Sequence, residues 1–223
     1  MIIDKSKTHL VILAGGQSKR FGGGFKTLHK FNNASLLKRI LDNFKNLNID
    51  IALNINSDEK DFFDTGLNLI KDQTENFQGP LAGIYSSIKW MVQNNKNIEW
   101  VLTTPSDTPF LFEKIINKFF ETDFNEKSKI ILAKSADKIH PVIGLWHVSL
   151  LNRLGHFLEK KDRKIMNWVN MQNYEILHQH TQGLQLHLKI DLEPFFQKLN
   201  EITKYHQLVF FLNLSYHKIA VSN

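Results

Sequence analysis

Apolar residues recur along the chain in two alternating rhythms. Leu10-Val11-Ile12-Leu13 is a continuous, partly β-branched apolar run, the pattern of a strand buried on both faces. Between Ala34 and Leu47 the apolar positions Leu36, Leu37, Ile40, Leu41, Phe44 and Leu47 follow a 3.6-residue period and predict an amphipathic helix. Ile49 to Ile55 predicts a second strand, ending in the polar tip Asn54-Ile55-Asn56-Ser57-Asp58 ahead of a short helix to Phe63. Leu67 to Lys71 is a third strand that stops at Asp72, and Leu81 to Gln93 is a helix. Trp100 to Thr104 is a fourth strand, halted by Pro105-Ser106-Asp107-Thr108-Pro109. A helix over 110–121, strands over 129–133 and 140–146, helices over 148–159 and 163–171, strands over 174–178 and 186–190, and a last helix over 192–204 complete the pattern.

Strands alternating with helices predict an α/β fold: a single-domain, Rossmann-like, three-layer α/β/α arrangement with a mostly parallel central sheet. That domain takes residues 1–204. Residues 205–223 form a C-terminal tail whose Leu208-Val209-Phe210-Phe211-Leu212 is too apolar to hang free in water. In open parallel sheets a ligand sits outside the carboxyl ends of the strands. The loop after the first strand, Asn54, Asp72 and Asp107 all fall there.

That first loop carries Gly15, Gly16, Gly22, Gly23 and Gly24 together with Lys19, Arg20 and Lys26. Consecutive backbone N–H groups with added positive charge suit a phosphate, and a solvated basic loop is the alternative. The spacing matches neither Gly-x-x-x-x-Gly-Lys-Ser/Thr nor Gly-x-Gly-x-x-Gly directly after the strand. Asp107 at a strand tip suits either a magnesium ligand or an aspartate that merely closes the Pro105–Pro109 turn. Asp72 can accept the paired N1–H and N2–H of guanine or serve as an ordinary loop carboxylate. Asn54 suits a sugar or base contact, or a turn.

Composition narrows the partners. Over 223 residues the formal charge is +6, which favours anionic ligands, but no cationic block is long enough for a nucleic-acid arm. Without cysteine there is no disulfide, thiolate site or cysteine nucleophile. No apolar stretch is long enough to span a bilayer and no signal peptide is evident, so a cytoplasmic protein is expected. His178-x-His180 has no acidic partner at metal-ligand spacing, and no Gly-x-Ser-x-Gly elbow is present. Trp90, Trp100, Trp146 and Trp168 fall inside predicted elements and are expected in the core.

Taken in order, Leu13-Ala14-Gly15-Gly16-x-Ser18-x-Arg20, Gly79-Pro80-Leu81-Ala82-Gly83, Ser106-Asp107-Thr108-Pro109 and His140-Pro141-Val142 resemble the molybdenum cofactor guanylyltransferases, the MobA family. The resemblance runs from about Leu10 to Asn170. It implies that GMP is transferred from GTP to the terminal phosphate of molybdopterin, with Mg²⁺ as cofactor and pyrophosphate as leaving group. Further partners would be other proteins of cofactor biosynthesis or the acceptor enzymes. By motif, Leu13, Ala14, Gly15, Gly16, Pro80 and Leu81 would line the nucleotide, Asn54 would contact it, and Asp72 would read guanine. Arg20, Lys26 and Asp107 would be the catalytic set, Lys26 on the phosphates and Asp107 also holding the metal.

Two departures stand out. Phe25 occupies the place where the family usually has an aspartate before Lys26. The family's late Asn-x-Asn-Thr-Pro segment is absent, with Glu193 to Asn200 standing in its place. These departures, and the fold's wider use, keep two alternatives open: a cytidylyl- or other nucleotidyltransferase, and a catalytically impaired nucleotide-binding homologue.

Overall fold

A computed structural model describes residues 1–15, 25–28, 30–31, 34–57, 60–73, 79–108, 111, 113–135, 138–160 and 162–179. The expected strand over 186–190, the helix over 192–204 and the tail lie outside the described residues, as do Gly16 and Arg20.

Among the described residues seven strands form one sheet: β1 (Thr8–Leu13), β4 (Ile51–Asn54), β5 (Asn68–Ile70), β6 (Trp100–Pro105), β7 (Ile130–Ser135), β8 (Lys138–His147) and β9 (Tyr174–Gln179). Their spatial order is β5-β4-β1-β6-β8-β7-β9, and β2 (Lys30–Phe31) with β3 (Ala34–Ser35) makes a separate small hairpin. The pairs β4–β5, β1–β4, β1–β6 and β7–β9 are parallel, as the alternating pattern predicts. β8 alone runs against its neighbours, pairing antiparallel with both β6 and β7. The cause is local: two residues separate Ser135 from Lys138, which permits a hairpin but not the crossover that a parallel pair needs.

Helices cover both faces. On one, α1 (Leu36–Phe44) and α4 (Glu113–Glu121) bury Leu37, Ile40, Phe44, Ile116 and Phe119 against Leu10, Ile12, Leu53 and Leu102. On the other, α3 (Pro80–Asn94), α5 (Leu151–Glu159) and α6 (Ile165–Val169) bury Leu81, Ile84, Ile88, Leu154 and Trp168 against Val11, Ala52, Val101 and Trp146. α2 (Lys60–Phe63) contributes the buried Phe62. Central strands thus expose an apolar side chain to each layer, which is why β1 reads as unbroken hydrophobic sequence. α1 begins two residues later than its periodicity predicts. Ala34 and Ser35 pair in the hairpin, and the Ser35 hydroxyl accepts the Lys38 N–H at 3.1 Å as an N-cap. No helix among the described residues is long and apolar enough to cross a membrane.

The buried Trp146 donates its indole N–H to the Thr103 hydroxyl at 2.9 Å, so the large aromatic brings no unpaired donor into the core. His9 differs. It is buried in β1 beside Trp90, and neither ring nitrogen has a hydrogen-bond partner among the described residues. Burial pushes its pKa down, only partly opposed by Asp50. His140 and His147 are also pushed down, chiefly by burial and then by Lys138 and Lys129 respectively. These rings are neutral in the fold and take up protons more readily when unfolded, so acid favours unfolding. Stability is therefore fully present above about pH 6.5, the ordinary histidine value, and is lost as pH falls below it. Thermal melting from about pH 7 to 5 is expected to show a falling Tm, with a shallower slope in His9→Leu; an unchanged slope would remove His9 from this account.

Candidate functional site

The parallel register sets where the strands stop. Leu13 lies level with Asn54 of β4 and Pro105 of β6, and Asn54 lies level with Ile70 of β5. Backbone bonds extend this alignment one residue further: Ala14 N–H donates to the Asn54 carbonyl at 2.8 Å, and Ser106 N–H to the Leu13 carbonyl at 3.1 Å. Gly15, Asn54, Asp72 and Asp107 therefore emerge side by side from one edge of the sheet. This convergence is the one expected for a doubly wound sheet.

Around Asp72 the geometry is closely specified. Asn54 is buried, and its side-chain amide donates to the Ile70 carbonyl at 3.1 Å and to Asp72 Oδ1 at 2.9 Å. Asn56 donates to Asp72 Oδ2 at 2.7 Å and accepts the Asp72 backbone N–H at 2.7 Å through its own Oδ1. Next along the chain, Gln73 N–H donates to the hydroxyl of Ser86, a buried residue of α3, at 3.0 Å. The tip of β5 is thereby tied both to β4 and to the helix. Gly15 opens the glycine loop directly over this cluster: a Cβ there would stand 3.9 Å from both Asn54 Oδ1 and Asn56 Nδ2.

The Gly79–Gly83 motif has a structural explanation. Gly79 precedes α3 at φ +100°, a backbone region that disfavours side chains, and Pro80 opens the helix at its first turn. Gly83 lies against Asn54, where an added Cβ would come within 2.4 Å of Oδ1. Pro80 is exposed, whereas Leu81 is fully buried in the core cluster beneath α3. Leu81 seats the helix; its side chain is not displayed at the strand edge.

Beyond β1 on the other side, Lys26 begins a 3-10 turn spanning Lys26–Leu28. Thr27 is buried and donates its hydroxyl to that of Ser106 at 3.1 Å, joining the end of the glycine loop to the turn that carries Asp107. Phe25 turns inward: its ring meets Phe62 edge-on at 5.2 Å and packs against the core. The replacement of the usual aspartate thus adds an apolar anchor for the loop's end. Asp107 is partly buried in the turn just after β6. Further along the same edge, the carboxyl end of β7 and the beginning of β8 place the Ser135 hydroxyl 2.6 Å from His140 Nε2.

The sequence model of the MobA-like NTP transferase domain matches residues 10–177, the span that contains all of these strand tips. The chain belongs to this family. A molybdenum cofactor guanylyltransferase from Nitrobacter hamburgensis is 38% identical over 169 residues, covering 75% of this chain and 81% of the relative. One from Rhodopseudomonas palustris is 33% identical over 177 residues, covering 74% and 84%. The fold is shared with molybdopterin-guanine dinucleotide biosynthesis protein A from Archaeoglobus fulgidus, at a TM-score of 0.58 and 16% identity, covering 82% of this chain and 88% of that one.

Motif reading found Asn54, Asp72 and Asp107 but passed over Asn56, Thr27 and Ser86. Only Asn56 had a local signal, as a second asparagine two residues beyond Asn54 at a strand tip. The hydroxyl pairings join segments 13 and 79 residues apart, invisible to local pattern. The fit at Gly83 generates a prediction. Gly83→Ala should displace Asn54, lower stability by about 1–3 kcal/mol as overpacking does, and weaken nucleotide binding. Denaturant unfolding and nucleotide titration of the variant check this, and wild-type behaviour in both would show that Asn54 can yield without consequence.

Proposed function

We infer that this chain is a molybdenum cofactor guanylyltransferase: it transfers GMP from GTP to the terminal phosphate of molybdopterin, forming molybdopterin guanine dinucleotide and releasing pyrophosphate. The observation that carries the guanine assignment is the state of Asp72. An ionised carboxylate has about four acceptor sites, two per oxygen. Among the described residues Asn54 occupies one on Oδ1 and Asn56 one on Oδ2, and no other side chain among them takes the second site on either oxygen. Guanine offers a matching pair of donors, N1–H and N2–H. Adenine and cytosine each present a donor beside a lone pair, which a fixed carboxylate repels.

With the base held there, the phosphates run from Gly15 along the glycine loop toward Asp107. Backbone N–H groups of the loop, Arg20 and Lys26 offset phosphate charge. A single carboxylate at Asp107 fits Mg²⁺, a hard cation that commonly takes one or two protein oxygens and completes its shell with phosphate and water. Among the described residues no cluster of three or more acidic, histidine or cysteine ligands competes with that arrangement. When bound, the ion would supply charge neutralisation on the phosphate oxygens.

The chemistry needs no protein nucleophile. An oxygen of the acceptor's terminal phosphate forms a bond to the α-phosphorus of GTP as the bond to the bridging α–β oxygen breaks, and that oxygen leaves with pyrophosphate. The protein aligns the two phosphates and holds complementary charge around the α-phosphate.

Calorimetric titration with GTP, CTP and ATP, with and without Mg²⁺, tests the reading. GTP should bind preferentially and Mg²⁺ should strengthen it, whereas preference for CTP would assign the chain to cytidylyl transfer. Asp107→Ala should lower Mg²⁺-dependent turnover by about 10²-fold or more, the scale of a lost electrostatic contact in a transition state; near-wild-type turnover would refute the metal assignment.

A further inference from the structure

We propose that Asn56 is the specificity-positioning residue of this site, setting the preference for guanine by fixing the rotation of the Asp72 carboxylate. The proposal rests on the reading of Asp72 as the guanine-binding group.

Asn56 and Asp72 form a closed ring. The Asn56 amide donates to Asp72 Oδ2 at 2.7 Å while its carbonyl oxygen takes the Asp72 backbone N–H at 2.7 Å. One residue thus holds both the main chain and the side chain of Asp72, so the carboxylate cannot turn without breaking a bond. Asn54 grips the other oxygen at 2.9 Å from the opposite side. The two asparagines therefore define the plane of the carboxylate as well as its position. Asn54 is in turn held by the Ile70 carbonyl and backed by Gly83. Asn56 is exposed, at the tip of β4 beside Gly15. Its two bonds are not needed to satisfy a buried group, since its polar atoms can reach water.

The chemistry of the pair suits discrimination. Both clamping groups are neutral amides, which orient the carboxyl group without placing a counter-charge beside it. A lysine in either place would partly neutralise it. With one acceptor site on each oxygen left open by the described residues, in a fixed plane, the pocket accepts two parallel N–H donors and leaves one oxygen unmatched when only one is offered. Inosine, which lacks the 2-amino group, satisfies one oxygen, and adenine brings a lone pair against the other. A freely rotating carboxylate would relax around these misfits and discriminate less.

The test measures Kd for Mg²⁺ complexes of GTP, ITP and ATP with the full chain, in wild type, Asn56→Ala, Asn56→Asp, Asp72→Ala and the Asn56→Ala/Asp72→Ala double variant. Asn56→Asp keeps the shape of the side chain and exchanges the donor for a second acceptor. Asn56→Ala is expected to narrow the GTP-over-ITP and GTP-over-ATP ratios about tenfold, the scale of one charge-assisted hydrogen bond. Asn56→Asp should narrow them further, and Asn56→Ala should add nothing once Asp72 is alanine. Ratios unchanged in Asn56→Ala but collapsed in Asp72→Ala would overturn the positioning role and leave Asp72 as the guanine reader. An equal loss for all nucleotides would overturn it as well, because a general disturbance of the loop does not distinguish bases. Ratios unchanged in Asp72→Ala would refute the reading of Asp72 and this proposal with it.

Discussion

The site depends on the level at which four parallel strands stop. Leu13, Asn54, Ile70 and Pro105 end flush because the hydrogen-bond register of β5-β4-β1-β6 leaves them no other choice. A one-residue slip in β4 would send Asn54 to the opposite face, away from α3 and Asp72. That register is held by the core: Val11, Ala52 and Val101 face one helical layer, and Leu10, Leu53 and Leu102 the other. Burial on both faces thus fixes, through register, the relative placement of the polar groups at the strand tips.

On that frame, small contacts set the chemistry. Asn54 ties the β4 tip to β5 through Ile70 and to Asp72, and α3 leaves room for it only because residue 83 has no side chain. Ser86 catches Gln73 just beyond. On the other flank, Thr27 and Ser106 join the end of the glycine loop to the Asp107 turn. The groups proposed to read the base and to handle phosphate are thereby braced against the same sheet edge from both sides. A site in which little must reorganise suits a reaction driven by alignment and electrostatics.

Much of this was legible in the sequence, for identifiable reasons. The apolar run of β1, the periodicity of α1 and α3, and the strand-tip positions of Asn54, Asp72 and Asp107 all follow from local pattern, and the family membership from motifs in order. The reversal of β8 was not read, because the strands predicted over 129–133 and 140–146 left six residues between them where the fold has two. Leu81 read as part of a ligand motif and proves to be a core residue, because a motif does not say which of its members faces the site. Phe25 read only as a missing aspartate before Lys26. Its ring packs on Phe62, a partner 37 residues away that no local pattern names. Asn56 was passed over because its role exists only once β4 and β5 are paired.

The most direct measurement of the central claim is turnover with GTP labelled at the α-phosphate, supplied with molybdopterin and Mg²⁺. The account predicts that label passes into a guanine dinucleotide form of the cofactor with equimolar pyrophosphate, and that CTP supplied alone does not replace GTP. Label remaining in GTP, or efficient transfer from CTP, would contradict it.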